Sequence, residues 1–234
     1  MSENLANHYI EVIAIVEGKT EQVFIESILA PYLAAKNIFI RTTQVSKPGQ
    51  KGGDVKFSRT IKDIGNHLKQ RANTFVCTFI DYYGVKEWPG VGQVPKAATP
   101  KQIAEIVNLA SQNAVAKYYP ELQTTRRYIP YLAVHEFEAL LFSDVEILAT
   151  KMGVNELEIQ QVLNDCGEPE AINNSPTTAP SKRLDGWSNG NFKKTSTGIA
   201  IAREIGVSAM REKCPVFNAW LDKVEHLVGV NHEA

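Results

Sequence analysis

The sequence has few cysteines, no long apolar run and almost no net charge. Its cysteines, Cys77, Cys166 and Cys214, are far apart and form no Cys-x-x-Cys pair, so neither a disulfide framework nor a zinc knuckle is expected. No apolar run reaches the roughly 18 residues that a membrane-spanning helix needs. The first ten residues lack the basic and apolar regions of a signal peptide. We therefore expect a cytoplasmic protein without a membrane partner.

The net charge of -1 excludes a global attraction to nucleic acid, but it hides strong local charges. Residues 41–71 have a local net charge of +6 and residues 181–194 one of +3, whereas residues 132–172 have one of -8. Basic segments that contain glycine can bind phosphate groups. For residues 41–71 a solvated helix face is the open alternative. The candidate substrate-binding residues in these segments are Lys47, Lys51, Arg59, Lys182, Arg183 and Lys193.

Four apolar, β-branched segments predict the strands of an α/β fold: residues 9–16, 38–45, 74–80 and 127–134. Each is followed by a segment with helical spacing of apolar residues, and this alternation is typical of a mainly parallel, Rossmann-like sheet flanked by helices. The first and third strands are nearly continuously apolar, so they should be neighbours covered on both faces. Pro130 in the fourth segment predicts an edge strand.

Local signals also predict where the helices begin. Thr20 is expected to cap the helix after the first strand, and Thr99 to cap a helix whose first residue is Pro100. A further helix is expected over residues 135–148.

We expect an α/β domain over residues 1–150 and a helical C-terminal extension over residues 151–234 that packs on it. The extension contains no convincing strand, and its pattern predicts helices around a polar loop at 173–190.

Acidic residues follow three of the predicted strands: Glu17, Asp81, and the pair Glu136 and Glu138. In parallel sheets ligands bind at the carboxyl ends of the strands, and carboxylates brought together there suit Mg²⁺ or Mn²⁺. The open alternative is that each acid is a solvated or capping residue. In a regular helix Glu136 and Glu138 lie about 200° apart. Glu138 is preferred because it shares a face with His135, which is either an additional ligand, a neighbour of the ligands or a capping residue.

The tripeptide Gly18-Lys19-Thr20 does not indicate a Walker A phosphate-binding loop. That motif requires a glycine five positions before Gly18, where this sequence has Ile13 inside the predicted strand.

Two motifs resemble the Toprim domain of topoisomerases, bacterial primases and nucleases of the overcoming-lysogenization-defect type. They are Val16-Glu17-Gly18-Lys19-Thr20-Glu21 after the first strand, and Asp81 after the third. The resemblance implies that Glu17 and Asp81 are catalytic or metal-binding. Toprim enzymes usually carry Asp-x-Asp at the second motif, but Tyr83 replaces the second aspartate here. Glu138 or Glu136 would then supply the missing carboxylate, and Lys19 would neutralise a phosphate. The implied catalytic set is Glu17, Asp81, Glu138 and Lys19, and the implied metal ligands are Glu17, Asp81, Glu138 and Glu136.

A closer resemblance, over nearly the whole chain, is to the bacterial domain of unknown function 4276 family. It rests on VEGKTE (16–21), FIDYYG (79–84), HEFEALLFSD (135–144), APSKRL (179–184), KTSTGIAIAREIG (194–206) and CPVFNAWL (214–221).

These resemblances imply two functions of different classes. The first is a Mg²⁺- or Mn²⁺-dependent nuclease acting on DNA or RNA, within a phage-defence system. The second is a non-catalytic Toprim-fold subunit that binds and regulates an AAA-type ATPase encoded nearby. A homodimer is a further expectation.

Overall fold

The computed structural model describes residues 9–45, 55–83, 85–172 and 175–230. Its centre is a parallel sheet in the order β2-β1-β3-β4, with β1 at Ile10–Val16, β2 at Ile38–Gln44 and β3 at Thr74–Asp81. Strand β1 pairs with β3 from Glu11–Thr74 to Val16–Phe79, which confirms that the two apolar segments are neighbours. Both strands are almost wholly buried, as expected for a sheet covered on both faces.

Pro130 divides the fourth predicted strand into two short pieces, β4 (Tyr128–Ile129) and β5 (Leu132–Ala133). Both pair with β3 in parallel, and β4 ends the strand order, so the predicted edge position is confirmed. Proline has no N–H to give to the ladder, which interrupts the strand. The Thr78 hydroxyl bridges the gap by accepting a hydrogen bond of 3.0 Å from the Tyr131 N–H.

Helices connect the strands in the expected alternation. The prediction that Thr20 caps the first helix is wrong: that helix begins at Lys19, and the Gly18 N–H donates to Glu21 Oε2 at 2.9 Å. The Glu21 side chain therefore accepts the N–H of the residue that precedes the helix, whereas a capping threonine would accept an N–H from inside the first turn. A π-helical segment, Ile25–Leu29, joins the first two helices. The helices of this half are α1 (Lys19–Phe24), α2 (Ala30–Ala34), α3 (Phe57–Gln70), α4 (Pro100–Tyr118) and α5 (Thr124–Arg127).

Thr99 caps α4, as predicted: its Oγ1 accepts from the Gln102 N–H at 3.3 Å, and the Gln102 side chain accepts from the Thr99 N–H at 2.9 Å. We expect Thr99→Ala to lower the free energy of unfolding by about 1 kcal/mol, because an orphan N–H of the first turn loses its acceptor. Urea denaturation measures this. Asn113→Ala, exposed in the middle of the same helix, is the control and should be neutral or slightly stabilising; an equal loss in both variants would contradict the capping role.

The regular helix predicted for residues 135–148 is wrong in its first half. His135 has a left-handed backbone (φ 68°) and Glu136 is extended. A 3-10 helix then covers Phe137–Ser143, all of whose residues are buried, and α6 (Val145–Met152) starts afresh after Asp144, which caps it. The reason is a long-range contact: the Phe137 N–H donates to Asp81 Oδ1 at 2.9 Å, so the segment is tied to the end of β3.

The C-terminal half is helical, as predicted. One correction concerns the polar loop expected at 173–190, of which residues 180–187 form α8, with Pro180 in its first turn. In the described part of the chain, no helix is long and apolar enough to cross a membrane. The helices after α6 are α7 (Glu156–Cys166), α8 (Pro180–Trp187), α9 (Ile199–Lys213), α10 (Pro215–Glu225) and α11 (Leu227–Val230), and a π-helical segment, Lys194–Gly198, precedes α9.

One buried apolar cluster joins the sheet to the C-terminal helices. In it the Phe79 ring of β3 lies 5.4 Å from the Trp220 ring of α10, and the Phe24 ring of α1 lies 4.8 Å from the Phe137 ring. The helical region thus packs on the sheet and covers the segment that carries Glu138. The boundary at residue 150 between two domains stays a prediction.

Candidate carboxylate site

The carboxyl ends of β1 and β3 place Glu17 and Asp81 at one edge of the sheet. Glu17 is the residue after β1 and Asp81 is the last residue of β3, and the register of the two strands makes these ends adjacent. A backbone contact from Asp81 works to lower the pKa of Glu17, in opposition to its burial. The expected pairing of the two acids thus follows directly from the parallel order of the strands.

Burial and neighbouring acids make both carboxylates hard to ionise. Burial, and then the charge of Glu21, raise the pKa of Glu17 to about 7. Burial raises the pKa of Asp81 well above its usual range, and the charges of Glu21, Glu138 and Glu17 add to it. These mutual effects identify four acids as a single electrostatic cluster, Glu17, Glu21, Asp81 and Glu138, which we call the carboxylate cluster.

Glu138 is the most deeply buried member, at 1% exposure. Its Oε1 lies 2.9 Å from the Lys194 Nζ, while its Oε2 has no hydrogen-bond partner among the described residues. Burial raises the pKa of Glu138, and the charge of Lys194 opposes that rise. A buried carboxylate oxygen without a partner is costly, so this atom marks the place where the cluster can accept a further donor or a cation.

Lys194 is the internal counter-charge of the cluster, and its role was not predicted from the sequence. Its side chain is 44% exposed and is delivered by the π-helical segment before α9. Partial burial works to lower its pKa, but the Glu138 carboxylate and, more weakly, Glu136 and Asp81 raise it. The available signals were its place in the basic segment 181–194, where Lys193 was preferred, and at the start of the segment KTSTGIAIAREIG; Lys193 is exposed to solvent.

Glu21 is the second residue that sequence reasoning missed. It is 8% exposed, and its Oε2 caps the first turn of α1. Burial raises its pKa despite the hydrogen bonds that it accepts. Its spacing from Glu17, four residues in a motif that starts a helix, was the signal that could have indicated a shared position.

Glu136 and Glu138 are separated by the structure. Both Glu136 oxygens are engaged by Ser181, whose N–H donates to Oε2 at 2.9 Å and whose hydroxyl donates to Oε1 at 2.8 Å. Glu136 therefore holds the first turn of α8, while Glu138 faces Lys194. That Glu136 is a metal ligand stays a prediction.

The remaining predicted residues lie outside the cluster. Lys19 is exposed and contacts Gln22, 3.4 Å from Oε1, on the surface of α1. Lys47 and Lys51 lie outside the described residues. Arg183 donates to the Thr178 carbonyl at 2.8 Å, and Lys182 is exposed beside it on α8.

His135 and Tyr83 border the site. Burial lowers the pKa of His135, and its Nδ1 has no hydrogen-bond partner among the described residues. Tyr83 is 39% exposed and donates its N–H to the His135 carbonyl at 2.9 Å. This backbone hydrogen bond therefore joins the residues after β3 to the segment after β5.

The donor chemistry of the cluster fits a hard divalent cation, but its side chains are not arranged as a closed ligand set. Within the residues that the structure describes, no group of three or more His, Cys, Asp or Glu has metal-binding geometry. The Glu138 oxygen without a partner is an open acceptor, and burial together with the neighbouring acids raises the pKa values of Glu17 and Asp81. Holding a cation there would require the Lys194 ammonium to move away from Glu138.

A comparison with protein-family models finds one match, described as Domain of unknown function (DUF4276), over residues 16–225. The chain belongs to this family. No curated protein and no solved structure matches the chain. The DUF4276 match extends from the β1 end, which carries Glu17, to α10, and so includes Asp81, Glu138 and Lys194. The whole carboxylate cluster therefore lies within the DUF4276 region rather than in an added segment.

Proposed function

We propose that this DUF4276 protein is a Toprim-type, divalent-metal-dependent nuclease that cleaves phosphodiester bonds of DNA or RNA in the cytoplasm, as part of a phage-defence system. The observation that carries the proposal is the carboxylate cluster at the carboxyl edge of parallel strands, where Glu17, Asp81 and Glu138 meet with raised pKa values. Perturbed acids at a ligand-binding edge are typical of catalytic sites.

Glu17, Asp81 and Glu138 would hold Mg²⁺ or Mn²⁺, which polarises a phosphoryl oxygen and activates water. The protein's own contribution follows from the charges around the site. In the metal-free protein Glu17 has a pKa of about 7, so binding a cation near neutral pH would displace its proton. Lys194, once released from Glu138, offers an ammonium to a phosphate oxygen at the same edge.

The nuclease proposal is tested by incubating the purified protein with labelled single- and double-stranded DNA and RNA in Mg²⁺ or Mn²⁺. The expected result is cleavage of at least one substrate that EDTA stops and that Asp81→Asn abolishes. Cleavage that persists in Asp81→Asn would identify a contaminating nuclease. No cleavage of any substrate in either metal would overturn the proposal.

A second function is favoured by two observations. Tyr83 replaces a carboxylate that Toprim enzymes usually have, and Lys194 already neutralises Glu138. Both fit a non-catalytic Toprim-fold subunit that regulates an AAA-type ATPase partner, with or without a homodimer of this chain. The discriminating measurement mixes the purified protein with an AAA-type ATPase encoded nearby. A stable complex with altered ATP hydrolysis, together with absent nuclease activity, would select this function.

We expect nucleic acid to bind weakly and with strong salt dependence. The described cations of residues 41–71 are partly engaged, since Arg41 and Arg71 both pair with Glu11 and Lys56 pairs with Glu87. If the four described candidates Arg59, Lys182, Arg183 and Lys193 each contact one phosphate, affinity should fall about 100-fold between about 50 and 200 mM salt.

Fluorescence anisotropy with labelled single- and double-stranded oligonucleotides measures this. The double variant Lys182→Glu/Lys193→Glu should bind more weakly and with a smaller salt slope. Lys117→Glu, exposed on α4, is the matched charge-reversal control. Salt-independent binding, or an equal loss in the control, would contradict the predicted surface.

A further inference from the structure

A second concave site lies between α4, the edge strand β4 and α10. It is a cavity of about 1010 Å³, and no member of the carboxylate cluster lines it. Small-molecule sites in proteins commonly enclose about 300–1,000 Å³, so this cavity is at the upper end of that range. It owes its shape to Pro130, which ends β4 at the sheet edge and leaves α4 and α10 to form the two walls.

The Trp220 indole, which lines this cavity, has an unsatisfied donor. Trp220 is 3% exposed, and its Nε1 has no hydrogen-bond partner among the described residues. Its ring is fixed by stacking on Tyr131 at 4.9 Å and by an edge contact with Phe79 at 5.4 Å. The buried indole of Trp88, by contrast, donates to Ser111 Oγ at 2.6 Å. Buried tryptophans usually find an acceptor. The Trp220 Nε1 atom is itself closed to solvent, so the indole lines the cavity with its ring atoms rather than with an open donor.

The cavity also exposes apolar surface that the fold does not use. Leu109 of α4 is 59% exposed at its wall, although it is a large aliphatic side chain. Pro130, which follows β4, and Leu227 of α11 also line the cavity, although both are themselves largely buried. A rigid, planar apolar body would cover this wall with little loss of its own conformational freedom.

The charged residues of the lining leave a positive group available. Both acids of the lining have partners: Glu105 lies 3.9 Å from Lys101, and Asp222 pairs with Arg211. Lys223 lines the cavity, is exposed and has no ion-pair or hydrogen-bond partner in the described ranges. An anion is therefore the complementary charge for this site.

We propose that this cavity binds a small planar aromatic anion. The ring packs on the apolar wall beside the Trp220 indole, and the anionic group lies near Lys223. A carboxylate and a phosphate share this chemistry. The site is separate from the carboxylate cluster, so the proposal is independent of nuclease activity.

The test uses 2-naphthoate and its neutral analogue 2-naphthamide as probes, with the indole ¹H–¹⁵N signals of the full-length protein as the readout. The Trp220 signal is assigned by its loss in Trp220→Phe, and the Trp88 signal is the internal control. A ligand with about 13 heavy atoms should bind with Kd near 1 mM. Naphthoate is expected to move the Trp220 signal and leave Trp88 unchanged, and to bind about tenfold more tightly than naphthamide. Phenyl phosphate distinguishes the phosphate source from the carboxylate source by its relative affinity.

Two variants make the location of binding falsifiable. Ala219→Trp fills the cavity from an exposed position of α10, so it should fold and should lose naphthoate binding. Lys223→Glu should weaken naphthoate binding about tenfold, whereas the control Lys117→Glu, outside the cavity, should change it less than twofold. Overturning results are an unmoved Trp220 signal at about 5 mM naphthoate, equal affinity for naphthamide, or unchanged binding in Ala219→Trp.

Discussion

Asp81→Asn, Glu17→Gln and Glu138→Gln are each expected to lower metal-dependent cleavage at least about 100-fold, the scale of a lost proton-transfer or ligand group. The three changes are nearly isosteric and remove only charge. The amide introduced by Asp81→Asn would keep an oxygen for the Phe137 N–H, the side-chain contact that ties Asp81 to the 3-10 helix. Cleavage rates of a labelled substrate in Mn²⁺ measure the effect.

The double variant Glu17→Gln/Asp81→Asn should cleave only slightly more slowly than either single variant, because the effects of changing groups that act as one unit are not additive. Glu136→Gln should keep cleavage but lose stability, since both Glu136 oxygens serve Ser181. Multiplicative losses in the double variant would show that the two acids act independently. A loss in Glu136→Gln as large as in Glu138→Gln would show that Glu136 belongs to the catalytic set.

The metal-free protein should become less stable as the pH rises from about 5 to 8. Glu17 and Glu170 both have pKa values raised to about 7 by burial. A carboxyl with a raised pKa binds its proton more tightly in the folded state, so its stabilisation is complete below the unfolded pKa near 4.5 and is lost as the pH passes 7. For Glu17 the shift corresponds to about 3 kcal/mol.

Glu17→Gln should weaken the dependence of the free energy of unfolding on pH, and it should be more stable than the wild type at pH 8 in EDTA. Thermal and urea unfolding across this pH range measure both effects. The control Glu121→Gln, at an exposed position, should leave the slope unchanged. Equal pH slopes in the wild type and Glu17→Gln would refute the burial of a costly charge at residue 17. This result also separates loss of activity from loss of folding, since the inactive variant should be the more stable protein.

Much of the fold could be predicted because its signals are local. The apolar segments of β1 and β3 follow from covering both faces of a strand, and the edge position of β4 follows from the missing N–H of Pro130. Thr99 caps α4 through side-chain atoms three residues away. The 3-10 helix at Phe137–Ser143 was missed because a long-range bond, from its first N–H to Asp81, sets its start.

The sequence by itself determined that Glu17 and Asp81 share one edge, because adjacent parallel strands bring their carboxyl ends together. The sequence also placed Glu136 and Glu138 on different faces of a predicted helix, but only the tertiary structure showed their partners, Ser181 and Lys194, which come from the helical half of the chain. Only the tertiary structure likewise showed that the Trp220 indole has no hydrogen-bond partner among the described residues. Periodicity fixes which side chains are buried, but the atom that each buried polar group meets depends on packing between segments far apart in the chain, and no local pattern encodes it.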